Sequence, residues 1–133
     1  MNIKKILPLV ICIGLVGLAG LYIAGSIVIG NSVRRECDKA QTKYQEDCIS
    51  SLSLTLEDAD NDFRTRNSAI WALGQLGDKR ALPILEKYYT GNIPEKESFD
   101  NGLSQYELKK AIKLAQGSFN ITHWIWRGSI EGE

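Results

Sequence analysis

Arg66-Asn-Ser-Ala-Ile-Trp-Ala-Leu-Gly-Gln-Leu-Gly-Asp-Lys-Arg-Ala-Leu-Pro-Ile-Leu85 is the stretch whose pattern decides the fold. Ala69, Ile70, Leu73 and Leu76 recur at helical intervals and make one apolar stripe, which Trp71 and Ala72 widen. Asp62, just upstream, is placed to cap the amino end. Gly77 suits a left-handed cap at the carboxyl end. Asp78 then opens a second helix through about Tyr89, with Pro83 in its first turn, where a missing N–H costs little. Leu82, Leu85 and Tyr89 give this helix its face, widened by Ile84 and Tyr88. A connection so short forces the two helices antiparallel, as a hairpin.

Upstream, no Gly or Pro interrupts the chain between Asn31 and Ile70. Cys37, Ala40, Tyr44, Cys48, Leu52 and Leu56 recur every three or four residues, a helical stripe. One long helix satisfies that spacing. So do two helices broken near Gln45–Asp47, with Asp47 capping the second. Asp58-Ala-Asp-Asn-Asp62 ends the segment in a polar turn.

Further upstream, Ile6 to Gly30 is an uncharged apolar run. As a helix it reaches about 37 Å, enough for a hydrocarbon core of about 30 Å with some tilt. A retained membrane anchor over residues 1–30 is the expectation. The alternative is a cleaved signal peptide, whose apolar core is usually shorter, about 7–15 residues. Ala24-Gly-Ser26 offers small residues for such a cleavage. Ile23-Ala-Gly-Ser26 has the shape of a lipid-attachment box, but Ser26 stands where the modified thiol belongs, so no lipidation is expected. Gly14, Gly17, Gly20 and Ala24 give the run small positions without a strict GxxxG, and packing on lipid alone is expected. Lys4 and Lys5 argue for an amino terminus inside the cell, whereas Arg34, Arg35, Lys39 and Lys43 pull the other way. We expect an extracytoplasmic domain.

The remaining residues, 31–133, suffice for one small domain burying roughly 60–65% of its unfolded surface. The chain has 16 basic and 16 acidic residues. Lys4 and Lys5 precede the apolar run, so the rest is slightly acidic, which excludes an ordinary nucleic-acid-binding surface.

Downstream of the hairpin, Gly91 to Gly102 is a polar loop, read as a plain insertion. Ser104-Gln-Tyr-Glu107 is a capping box, with Leu103 and Leu108 as its hydrophobic staple. Leu108, Ala111, Ile112 and Ala115 form the face of the next helix, and Gly117 stops it. Phe119-Asn-Ile-Thr-His-Trp-Ile-Trp126 is aromatic and too short for a membrane span. It is expected to cover the end of the helical stack, the alternative being an interfacial or partner-binding patch.

The hairpin resembles a HEAT-like repeat of the type found in phycobilisome lyases. The shared pattern is carried by Ala69, Ala72, Leu73, Gly74, Leu76, Gly77, Asp78, Arg80, Ala81, Pro83 and Leu85. A fainter echo aligns Cys48-Ile-Ser-Ser-Leu52 with Ala81-Leu-Pro-Ile-Leu85 at a period of 33 residues, and Leu108 to Ala115 is placed to start a further unit. The resemblance implies a short α-solenoid of two to three HEAT-like helical hairpins, and together with the apolar run the expected fold is all-α, an N-terminal transmembrane helix followed by that solenoid. It also implies a module that binds or scaffolds proteins. Nothing in the sequence carries over bilin chemistry. Ala69, Leu73, Gly77, Asp78, Arg80 and Pro83 are the repeat's structural residues, with Asp78 and Arg80 capping helices and linking units.

Chemistry-bearing residues are sparse. Cys12 lies in the apolar run. On one continuous helix Cys37 and Cys48 would be about 16 Å apart, beyond the roughly 7 Å a disulfide tolerates; if the chain folds back near Gln45 they meet. We expect the bridge, against two buried free thiols, and with it an oxidising compartment. Two such cysteines and His123 lack zinc-ligand spacing. His123 is read as a packed or surface residue, and no serine has a His/Asp setting. Glu57, Asp58, Asp60 and Asp62 lack the glycine and terminal glutamate of a calcium loop and are read as caps and a solvated turn. Asn120-Ile-Thr122 is a glycosylation sequon only for an exported domain in a eukaryote. The expected function is a membrane-tethered HEAT-like module that mediates protein–protein interaction, without catalysis, cofactor or nucleic acid. The alternative is a small subunit or assembly factor of a membrane complex, held through residues 6–30.

Overall fold

The computed structural model describes residues 3–130, without the side chains of Lys4 and Lys5. The charge argument from those two lysines therefore lies outside the described side chains. Among the described residues there are six α-helices, two 3-10 turns and no strand. Helix α1 (Ile3–Tyr44) is unbroken for 42 residues, about 63 Å. Then come α2 (Cys48–Glu57), α3 (Phe63–Leu76), a 3-10 turn over Lys79–Ala81, α4 (Leu82–Tyr88), α5 (Gln105–Ala115) and α6 (His123–Trp126).

Both readings of residues 31–56 are met in part. The helix from the apolar run continues without a break past Gly30 and stops at Tyr44. Gln45, in the left-handed region at φ 58°, turns the chain, and the Asp47 carboxylate accepts from the backbone N–H of Ile49 and Ser50 to start α2. Gly77, at φ 63°, ends α3, and Pro83 sits in the first turn of α4. Gly117, at φ 103°, ends α5, with Ser118 N–H returning to the Lys113 carbonyl at 3.0 Å.

Contacts fix the directions. Helix α2 begins beside Cys37 and ends where Asp58 meets Lys43 and Tyr44, so it advances along α1 in the same sense. Helices α3 and α5 are parallel to each other: Asn67 meets Ser104, Gly74 meets Ala111 and Gly77 meets Leu114. Both point their carboxyl ends toward the apolar part of α1. Helix α4 runs back alongside α2, with Arg80 beside Asp47 at one end and Lys87 paired with Glu57 at the other. The repeat row is thus α2, α3, α4, α5, alternately up and down, and the period of 33 falls on the paired starts of α2 and α4. Leu52 and Leu85, equivalent by that period, are both fully buried.

Helix α1 has two regimes. From Leu7 to Leu21 every residue is exposed. From Tyr22 onward one face packs on the domain: Ser26, Gly30, Val33, Cys37 and Ala40 are buried. The alternate spacing of four and three keeps that seam on one side of the helix, drifting only about 20° per seven residues. The core then gathers Leu52, Leu56, Ile70, Leu73, Leu85 and Leu108.

The aromatic tail departs from the expected end cap. It passes the end of α3, where Asn120 Nδ2 donates to Gln75 Oε1 at 3.1 Å, and seats α6 on α1. Trp126 is 5% exposed, and a Cβ on Gly30 would stand 2.6 Å from its Cβ. The physical reason is local: Gly117 reverses the chain under α3, and Gly30 leaves room for an indole. The Trp126 N–H is buried without a partner among the described residues. Helix α5 is therefore a single further repeat helix whose successor straps back across the row. Gly14, Gly17 and Gly20 face nothing within 4 Å, so the glycines that set packing are Gly30 and Gly74.

Gly74 holds the close approach of α3 and α5: an added Cβ would lie 2.8 Å from Ala111 Cα and 2.9 Å from its Cβ. Gly74→Ala gains roughly 1 kcal/mol of helix propensity but overpacks at a cost of about 1–3 kcal/mol. A lower urea midpoint with an unchanged slope is the expected outcome; a raised midpoint would show that α5 can move away freely.

Candidate functional site

Three surfaces carry the polar and aromatic residues. The first is the junction between α1 and the repeat row. Cys37 and Cys48 lie at disulfide distance, with Cα atoms 5.0 Å apart, because the turn at Gln45 folds the chain back. Beside them is a cleft of about 300 Å³ lined by Arg34, Asp38, Gln41, Asp47, Asp78 and Arg80 among others. Asp78 caps the 3-10 turn through the Arg80 N–H. The Arg80 guanidinium pairs with Asp78 at 2.9 Å and reaches Asp47 at 3.3 Å, so it joins the starts of α2 and α4. Arg80 holds the Asp78 carboxyl below its usual range, and the Ser50 hydroxyl does the same for Asp47. Ala69 and Leu73 are buried in α3.

The second surface is the far end of the row, where sequence reasoning missed the residues that organise the loop. Asn67 donates to the carbonyls of Phe99 and Gly102 and accepts from Ser104 N–H, pinning residues 91–104 to α3. Ser104 Oγ does accept from Glu107 N–H, as a capping box requires. The reciprocal half is different: Asn67 takes the Ser104 N–H, while Glu97 accepts from Gln105 and Tyr106 N–H and from the Ser104 hydroxyl. A carboxylate at a helix amino end is favourable wherever in the chain it comes from, so no local motif marks Glu97. The loop is consequently an ordered wall. With Arg64, Asn67, Ser68, Trp71 and Glu107, Phe99 encloses a mostly apolar groove of about 410 Å³. Arg66 bolts the row from inside: it is 9% exposed, donates through Nε to the Leu56 carbonyl at 2.8 Å and lies over the rings of Phe63 and Tyr88.

The third surface is the tail. Trp124 Nε1 donates to Tyr22 Oη at 3.1 Å and to the Ile121 carbonyl at 2.8 Å, and Tyr22 Oη also donates to that carbonyl. Arg34 donates to the Ser129 carbonyl at 2.9 Å. His123 Nδ1 donates to the Asn120 carbonyl at 2.8 Å.

The acidic cluster disperses into structural roles. Asp58 accepts from Lys43 at 2.8 Å and Tyr44 at 2.7 Å, and Lys43 foremost holds its carboxyl far below the usual range. Asp62 caps α3 at Thr65 N–H, and Glu57 pairs with Lys87. Among the described residues no three His, Cys, Asp or Glu side chains are grouped to hold a metal.

Two measurements check this geometry. Without reductant the intact mass is expected to be lower by two hydrogen atoms, and reduction or Cys48→Ser is expected to cost about 2–3 kcal/mol, the chain-entropy value for a loop this short. An unchanged mass would leave both thiols free. The carboxyls of Asp47, Asp58, Asp62 and Asp78 all titrate lower folded than unfolded. Their contribution is therefore complete above about pH 4 and is lost as pH falls through the folded-state values. Urea midpoints should hold from pH 7 to about pH 4 and then drop, with a smaller drop in Asp58→Asn.

Neither a curated protein nor a solved structure matches the chain. Residues 65–90 match the PBS lyase HEAT-like repeat, and the hairpin of α3 and α4 is accordingly a HEAT-like repeat, a fold that generally serves as a non-catalytic scaffold.

Proposed function

We propose that this chain is a membrane-tethered HEAT-like module that docks a protein partner, with residues 1–30 as the anchor and residues 31–133 as the repeat domain. One observation carries the interaction reading. The repeat at residues 65–90 is built out on one side by an ordered loop, which gives a groove lined by Arg64, Trp71, Phe99 and Glu107. Aromatic residues are among the types that interface centres favour. The anchor reading rests on α1: from Ile6 it is long and apolar enough to cross a membrane, and its first turns touch nothing else in the chain. The Cys37–Cys48 pair supports an extracytoplasmic, oxidising side.

The second reading is a subunit or assembly factor held by the anchor itself. It is favoured by the bare glycine face of Gly14, Gly17 and Gly20, which another helix can approach closely. Affinity capture from detergent extracts separates the two. The docking reading expects a partner that survives removal of α1 only as far as Leu21, which leaves the packed seam from Tyr22 onward intact, and is lost from the full chain carrying Trp71→Ser with Phe99→Ser. A partner lost with the anchor, while the soluble domain keeps its helical spectrum, instead supports the second reading.

A further inference from the structure

We infer that the aromatic tail is a lipid-docking foot: clamped on α1 at Tyr22 and Gly30, it sets Phe119, Ile121 and Trp124 into the headgroup–acyl boundary of the bilayer that α1 enters. This rests on the tether reading above.

Position comes first. From Ile6 to Tyr22 the helix rises about 24 Å, so a core of about 30 Å beginning at Ile6 ends near Ser26. Tyr22 then lies about 6 Å below that boundary, within the roughly 5–10 Å to which interfacial segments sink. The tail is fixed at this level by the bonds of Trp124 and the Ile121 carbonyl to Tyr22. Helices α3 and α5 end on the same side, so Phe119, which follows α5 and flanks Gly74 and Gly77, belongs to the same edge of the domain.

Chemistry agrees. Phe119 is 81% exposed, Trp124 67% and Ile121 54%, beside exposed Ile23, Ile27 and Val28 of α1. The patch is thus continuous with a helix surface that is apolar all round. The indole N–H of Trp124 is already bonded within the chain, so sinking its ring into lipid leaves no donor unpaired. No acidic residue occurs from Ser118 to Ile130, so the patch carries no carboxylate toward the lipid. A protein occupant would have to cover the tail and the lipid-facing side of α1 together.

The test uses the full chain in phosphatidylcholine nanodiscs. The Trp124 signal is the difference between the parent and Trp124→Phe, read against lipids brominated near the headgroup or at mid-chain and against aqueous iodide. A separate sample carries an environment-sensitive dye on Cys12, the free cysteine of α1. The expected result is a blue-shifted Trp124 component, quenched more by the shallow bromolipid than by the deep one and protected from iodide, with the Cys12 dye in hydrocarbon. If the dye is in hydrocarbon but iodide quenches Trp124 and bromolipid does not, the foot is wrong and the tether stands. Protection from both quenchers overturns it too, because a protein surface, such as a second copy, then covers the patch. A dye in water overturns the tether reading, and the foot with it.

Discussion

Everything in this fold is seated on a seam of small residues along α1. Ser26, Gly30, Val33, Cys37 and Ala40 are buried, and none is larger than valine. Small side chains let α6, α3 and α2 approach the helix closely in turn, and dispersion contacts rise steeply as gaps close. The seam has a second effect. Because it uses only one face, the other faces of the same turns remain uncovered.

Within the repeat, packing and polar ties divide the labour. Leu73, Leu85 and Leu108 supply the apolar centre, while Arg66 and Asn67 bond across elements and Arg80 ties Asp47 of one element to Asp78 of its own. Arg66 answers the open carbonyl end of α2, where a cation and a donor are both favoured. Asn67 satisfies three backbone groups that an irregular loop would otherwise leave to water. These bonds explain why a polar loop at the end of a short row is held in place and can form the wall of a groove.

The sequence was most legible where geometry is written in one residue. The turn at Gly77, the caps at Asp47, Asp62 and Asp78, and the apolar face of α5 follow from residue type and spacing, and the fold repeats them. The echo at a period of 33 falls on α2 and α4, whose equivalent leucines, Leu52 and Leu85, are both buried. Legibility failed where a residue acts at long range or is masked by its surroundings. Ser26, Gly30 and Val33 continue the stripe of Cys37 and Ala40, but in a run where nearly every position is apolar or small no periodicity stands out. Glu97 caps α5 from the loop before it, and Asn67 acts across 37 positions of chain, so neither leaves a local motif. The tail's destination depended on the space above Gly30, which only the assembled fold defines.

The unbroken course of α1 has a mechanical consequence. There is no glycine-proline joint and no linker between its bare turns and the seam that holds the repeat. Tyr22, Gly30 and Arg34 clamp the tail to the same rod, which removes the remaining freedom to swivel. The domain and the helix therefore turn as one lever about 63 Å long. The apolar turns and the seam under the repeat are therefore joined by helix alone, with no flexible segment between them.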